Sequence, residues 1–153
     1  MKKKIIFIVN PISGHHNKNH FPNLVETNID KNKYDYKIVF TEYANHATEL
    51  TMKAIEDGFE YIAAVGGDGT INEVAKCLIG KEQILVIVPF GSGNGLANHL
   101  RLPFKIEKHI KEVIKYLSVL RIYSHKFEIE VFTSTSNIYA TTSRTSRLCW
   151  SVT

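Results

Sequence analysis

Asp68 is the carboxylate of the turn AAVGGDGT, and Gly66, Gly67 and Gly69 surround it. One glycine is enough to carry a strand into a helix, so several beside a fixed negative charge imply that something approaches the backbone closely. Two further polar stretches share this character, NPISG at 10–14 and PFGSGNG at 89–95. Each follows an apolar run of strand length and leads toward a helical pattern. Such turns suit anion binding, because a helix N-terminus offers unpaired N–H groups and a partial positive charge. A Cβ at the turn would hold a phosphate away from those groups. A carboxylate repels phosphate, so Asp68 fits there if a divalent cation or a lysine bridges the two, or if it accepts a proton or a hydroxyl contact.

These turns must be positioned by alternating strands and helices. KIIFIV (4–9) is a β-branched apolar run that Pro11 terminates. Phe21, Leu24, Val25 and Ile29 then share one helical face, and YDYKIVF (34–40) predicts the next strand. Ala47, Leu50, Ala54 and Ile55 recur at helical spacing before Gly58, a helix stop. YIAAV (61–65) and ILVIVP (84–89) predict two more buried strands, separated by a helix over TINEVAKCLIG (70–80). IEKHIKEVIKYLSVL (106–120) carries Ile106, Ile110, Val113, Ile114 and Leu117 on one stripe, and KFEIEVF (126–132) alternates like a strand. Strands buried on both faces and alternating with helices predict an α/β fold, a three-layer α/β/α sandwich around a mainly parallel sheet. In such a sheet ligands bind outside the carboxyl ends of the strands, which is where all three polar turns fall. From Thr133 the chain is dense in Ser, Thr and Arg without sustained periodicity, which fits a poorly ordered terminus, a fragment boundary or a slipped reading frame.

Composition narrows the partners. The chain has 153 residues, 44% hydrophobic and 22% charged, with a formal net charge of +4. That suits one globular domain with a substantial core. No apolar run approaches the ~18 residues of a membrane span, and the run after Lys2–Lys4 is too short for a signal peptide. The lysines read as the solvated start of a strand. Lys and Arg do not cluster among aromatics, so nucleic acid is not an expected partner. Cys77 and Cys149 have no metal spacing and favour a reducing cytoplasm. Cys77 falls beside Val74 and Leu78 and reads as core, whereas His15, His16 and His20 read as solvated loop residues. Thr70 and Glu73 have the spacing of a helix capping box. GSGNG is not a dinucleotide fingerprint, and no P-loop pattern occurs.

Taken together, NPISG, TEYANHATEL (41–50), GGDGTINEV (66–74) and VPFGSGNGLANHL (88–100) resemble the catalytic domain of the diacylglycerol kinase family. That family includes bacterial lipid kinases and sphingosine kinases. The segments stand in family order over residues 4 to 120. GGDGT alone is shared with NAD kinases and phosphofructokinases; flanked by NP-x-SG and P-x-GSGN-x-LA it is far more specific. The fold implied is that of the N-terminal domain of the diacylglycerol kinase and NAD kinase type.

The resemblance implies an ATP-dependent, Mg²⁺-requiring transfer of the γ-phosphoryl group to a lipid hydroxyl, diacylglycerol- or sphingosine-like. By position, Asn10, Ser13 and Gly14 would line the nucleotide with Thr41 beside it. Gly67, Asp68, Gly69 and Thr70 would hold the phosphates, supported by Glu73, and Ser92 with Gly93 would close the other wall. Asp68 would be the catalytic and metal-side carboxylate. Gly95 stands where many diacylglycerol kinases have Asp, which leaves the lipid open. The location implied is cytoplasmic, with transient contact at the membrane surface where a lipid acceptor lies, and homo-oligomers are compatible with it. Family members also carry a β-rich second domain that holds the acceptor and supplies the usual general base. Residues 1–126 therefore read as the nucleotide-binding domain, and 127–153 as the start or remnant of that second domain, or a disordered terminus. Two other functions remain open: a non-catalytic nucleotide-binding module, and a GGDGT-type kinase of a soluble metabolite such as NAD. Against the latter stands PFGSGNGLA, which lacks the N-x-G-x-LGF form.

Overall fold

Ile5 to Val9 are apolar without alternation, a pattern that only a strand covered on both faces can bury. The computed structural model describes residues 1–14, 18–99, 119–122, 129–133 and 136–140, and it places that run at the centre of a sheet. Strand β1 (Lys3–Val9) lies between β2 (Tyr34–Phe40) and β3 (Tyr61–Gly66), parallel to both, and β4 (Ile84–Pro89) runs parallel along the far side of β3. Antiparallel strands β5 (Val119–Ile122), β6 (Ile129–Thr133) and β7 (Ser136–Ala140) extend the sheet beyond β4, giving the order β2-β1-β3-β4-β5-β6-β7.

Side-chain alternation divides the core into two layers. Ile5, Phe7 and Val9 of β1, Ala63 and Val65 of β3, and Val86 and Val88 of β4 meet Phe21, Val25 and Ile29. Phe21 and Val25 belong to helix α1 (Phe21–Asn28), and Ile29 caps it. On the opposite face Ile6, Ile8, Ile62, Ala64, Leu85 and Ile87 meet helices α2 (His46–Glu56) and α3 (Asp68–Leu78) through Ala47, Ala54, Ile71, Val74 and Leu78. A short helix α4 (Gly95–His99) adds Ala97 to the same layer. The expected three-layer α/β/α sandwich is thus present. Among the described residues β2 is the edge strand of the sheet, and its Asp35 and Lys37 are exposed, which keeps that edge charged.

Helix α2 ends as Gly58 predicts. Gly58 takes φ 73°, its N–H reaches Ile55 O at 3.1 Å and the Phe59 N–H reaches Ala54 O at 3.0 Å, which is the Schellman closure. Two expectations need correction. Helix α3 begins at Asp68, with Gly67 as its N-cap, rather than at Thr70. Val119 and Leu120 are strand β5, not the end of a helix; residues 106–118 lie outside the described residues. The Ser/Thr-rich segment contributes β7, because a hairpin with β6 requires only backbone pairing and not an apolar face.

Phe21 ties the first layer together. Its ring meets Phe7 edge-on at 5.7 Å and Phe90 edge-on at 6.4 Å, and it is fully buried. Phe21→Ala should therefore cost about 3–5 kcal/mol, read as a lower urea midpoint with an unchanged slope. A loss below about 1 kcal/mol would mean that α1 is held by something else.

Candidate functional site

Strands β1 and β3 are parallel neighbours, but the chain leaves them in opposite directions. After β1 it passes to α1 on one face; after β3 it enters α3 on the other. Divergence of this kind opens a crevice outside the strand ends, the topological switch point at which α/β sheets bind ligands. Asn10–Gly14 borders the crevice on one side and Gly66–Thr70 on the other.

The first turn is built around Asn10. Its N–H extends the ladder to Val65 O at 2.9 Å, its Oδ1 accepts from the Ile12 N–H at 3.1 Å, and its Nδ2 donates to Thr70 Oγ1 at 3.2 Å. Ser13 Oγ donates to Asn10 O at 3.2 Å. Gly14 has φ 71°, and a Cβ there would meet Phe90 O at 2.8 Å, so both conformation and space demand glycine. Behind this turn lies Lys18, which the sequence reading passes over. It is 2% exposed; its ammonium donates to Asn10 O at 2.7 Å, to Ser13 Oγ at 2.6 Å and to Ser13 O, and lies 5.2 Å from the centre of the Phe90 ring. Burial pushes its amine down to about 8. A signal was available: Lys18, Phe21 and Val25 stand at i, i+3 and i+7, the buried face of a helix.

In the second turn the glycines have different tasks. A Cβ on Gly66 would strike Thr70 Oγ1 at 2.5 Å, whereas one on Gly69 would meet nothing within 4 Å. Thr70 is the third residue of α3, so the Thr70–Glu73 capping box does not form; the Thr70 hydroxyl receives the Asn10 amide instead. Glu73 sits half-buried further along α3, and its carbonyl accepts from Cys77 Sγ at 3.4 Å. Cys77 is half-buried between α2 and α3 rather than core, and burial pushes its thiol up.

Asp68 reaches across to the third turn. Its Oδ2 accepts from the Gly95 N–H at 2.8 Å and its Oδ1 from the Leu96 N–H at 3.1 Å, so it satisfies the first amides of α4. The third turn is itself clamped. Asn94, buried and left-handed at φ 48°, accepts from the Gly91 N–H at 2.9 Å and donates to Gly91 O at 2.7 Å. A Cβ on Gly91 would lie 2.5 Å from Gly67 Cα. The structure therefore joins Asn10 directly to Ser13 and Thr70, while Gly14, Gly67 and Asp68 each meet the third turn, at Phe90, Gly91 and the Gly95 and Leu96 amides. Ser92 and Gly93 are exposed on the third turn. Thr41 is buried after β2, its N–H bonded to Val9 O at 2.8 Å, next to the end of β1. Among the described residues no three His, Cys, Asp or Glu side chains are grouped to hold a metal ion, and no helix is long and apolar enough to cross a membrane. His20 is exposed at the Phe90 ring, 6.3 Å between centroids; His15 and His16 lie outside the described residues.

Residues 4–121 match the model of the diacylglycerol kinase catalytic domain. The chain belongs to that family. Relatives include a diacylglycerol kinase of Staphylococcus carnosus, 29% identical over 78% of this chain and 40% of its own length. Another, from Staphylococcus saprophyticus, is 30% identical over 75% of this chain and 38% of its own. A crystal structure of a diacylglycerol kinase from Bacillus anthracis superposes with a TM-score of 0.59 at 27% identity, covering 74% of this chain and 42% of that one. The chain thus spans about two-fifths of the length of the proteins it matches, and the match to the diacylglycerol kinase catalytic domain extends over all three turns.

The Asp68 contacts carry a consequence that needs no ligand. Asp68→Ala should free the Gly95 and Leu96 amides, which exchange hydrogen faster, at a stability loss of about 0.5–2 kcal/mol, the worth of a helix cap. Unchanged exchange at both amides would show that α4 is held without the carboxylate.

Proposed function

We propose that this chain is the nucleotide-binding domain of a lipid kinase, with residues 1–126 forming that domain, and that ATP lies in the crevice with its phosphates at the start of α3. One observation carries the reading most strongly: three turns are locked together around a switch point, yet the space over Gly69 is open. The N–H groups of Asp68, Gly69 and Thr70 have no acceptor within α3, so they are free of intrahelical bonds and suited to phosphate oxygens. Asn10, Ser13, Gly14 and Thr41 line the β1 side, and Ser92 and Gly93 the β4 side, with Glu73 behind the phosphates.

Mg²⁺ usually keeps several waters and binds through one or two carboxylates plus substrate phosphates. One carboxylate, Asp68, is therefore enough on the protein side. Its oxygens each retain acceptor capacity beyond the single amide bond they receive. When bound, Mg²⁺ would neutralise charge on the transferring phosphoryl group. Asp68 would orient the ion, and the α3 amides would stabilise phosphate charge without rearranging. The acceptor in this reading is a lipid hydroxyl, as the names of the relatives suggest.

Titration of the 153-residue chain with ATP should show binding that Gly69→Val weakens more than tenfold while circular dichroism stays unchanged, since that side chain enters open space. Retained affinity in folded Gly69→Val would remove the α3 terminus from the site. Asp68→Asn separates the two roles of the carboxylate. A loss seen only with Mg²⁺ supports ion orientation, and an equal loss in EDTA assigns the residue to the α4 contact alone.

The chain by itself should give no measurable transfer from labelled ATP to diacylglycerol, monoacylglycerol or sphingosine in mixed micelles. The three turns hold phosphate, but none of them orients an acceptor hydroxyl, and orientation is worth about 7–11 kcal/mol of barrier. Robust transfer would place the acceptor site within these 153 residues. Transfer to NAD instead would replace the lipid reading.

A further inference from the structure

We infer that Lys18 is a further determinant of phosphate binding, supplying the site's buried positive charge from behind the Asn10–Gly14 turn. The inference rests on the nucleotide reading above and adds a residue that lies outside the motifs carrying that reading. Lys18 is 2% exposed, in a layer otherwise made of Phe21, Phe90 and their neighbours. Its three N–H donors meet three oxygens, Asn10 O, Ser13 O and Ser13 Oγ. Hydrogen bonding is thus complete, but charge is not. Among the described residues the ion pairs are Lys31 with Glu26 and Lys33 with Asp30, and neither involves Lys18. Desolvation alone accounts for the lowered affinity of its amine for the proton, with no carboxylate offsetting it.

A buried cation without a counter-ion is costly, and neutral donors could fill the same three oxygens without that cost. In its position, however, the charge is useful. Asn10, whose carbonyl the ammonium grips, also reaches Thr70 on the first turn of α3. The charge therefore stands one residue behind the surface that faces the phosphates, within a low-dielectric layer where its field is weakly screened. A polyanion in the crevice would supply the missing counter-charge. Lys18 would not touch the ligand, because its donors are used; it acts as a positioning residue for the turn and as a fixed potential for the phosphates.

The two contributions differ in how they depend on phosphate number. A charge acts in proportion to the ligand's charge, whereas a distorted turn weakens every nucleotide alike. Lys18→Met removes the charge and keeps the shape, and Lys18→Gln removes the charge but keeps N–H donors toward the Asn10 and Ser13 oxygens. Dissociation constants for AMP, ADP, ATP and inorganic tripolyphosphate are measured for each variant and for the wild type, without Mg²⁺, with thermal melting recorded alongside. The expected loss relative to wild type is about twofold for AMP and rises to tenfold or more for ATP and tripolyphosphate, in both variants, with both melting cooperatively and Gln less destabilised than Met. An equal loss across the series, or none, overturns the inference; so does a wild type that binds neither ATP nor tripolyphosphate. Should Met fail to fold, the Gln series decides alone, and failure of both to fold assigns Lys18 to folding and overturns it too. A wild type that binds tripolyphosphate but not ATP, with the graded loss intact, would sink the nucleotide reading and leave this one standing.

Discussion

Asp68 turns its carboxylate away from its own helix and onto the first amides of α4, 27 and 28 residues further along the chain. Amides at a helix start have no partner within that helix, so whatever satisfies them decides where the preceding turn can lie. Here that turn is the one after β4, which packs Gly91 on Gly67 and the Phe90 carbonyl against Gly14. Both walls of the crevice are therefore registered through one side chain. The parallel ladder brings the strand ends to a common edge, but it does not dictate how the loops beyond them fold. The carboxylate does that, which gives a negative charge among these glycine-rich turns a structural task of its own.

The glycines of the three turns then separate by physical cause. Gly14, Gly66 and Gly91 stand where a Cβ would collide with another part of the protein, at 2.8, 2.5 and 2.5 Å. Gly14 and Gly91 are needed for the turns to meet, and Gly66 for Thr70 to pack over its own turn, whether or not anything binds. Gly69 collides with nothing, and within a helix glycine is destabilising relative to alanine by roughly 1 kcal/mol. Folding alone would favour a side chain there. A requirement for a bare backbone at Gly69 has to come from outside the fold.

Sequence reading is surest here where burial is two-sided. The strands β1, β3 and β4 are continuous apolar runs because helices cover both faces, and Gly58 marks the end of α2 because only a left-handed residue closes it that way. The start of α3 is hidden because a glycine-rich turn and a glycine-rich first helical turn look alike, and Thr70 with Glu73 imitates a cap further in. Val119 and Leu120 fit a helical stripe as readily as a short strand, and β7 (Ser136–Ala140) is hidden within a Ser/Thr-rich stretch without sustained periodicity. In the site, motif residues were legible but their contacts were not: nothing in GGDGT says that its carboxylate serves GSGNG. Lys18 is illegible by type, since a lysine before a helix reads as solvated; only its spacing to Phe21 and Val25 puts it inside.

Asp68 and Lys18 both have their hydrogen bonds filled by the protein itself. Asp68 receives two backbone N–H groups, and Lys18 spends its donors on three oxygens of the Asn10–Gly14 turn. What faces the crevice is then mostly backbone amide, fixed in direction by those charges rather than replaced by them. Dipoles already oriented need not reorganise when phosphate enters, and this is the property that makes electrostatic stabilisation effective at the moment of transfer. A lysine pointing straight at the phosphates would be free to swing into solvent and would lose side-chain entropy on binding. Held behind the turn, it has already lost that freedom in folding. In the proposed nucleotide site, that arrangement would let the turns receive a highly charged ligand without spending side-chain entropy on the lysine.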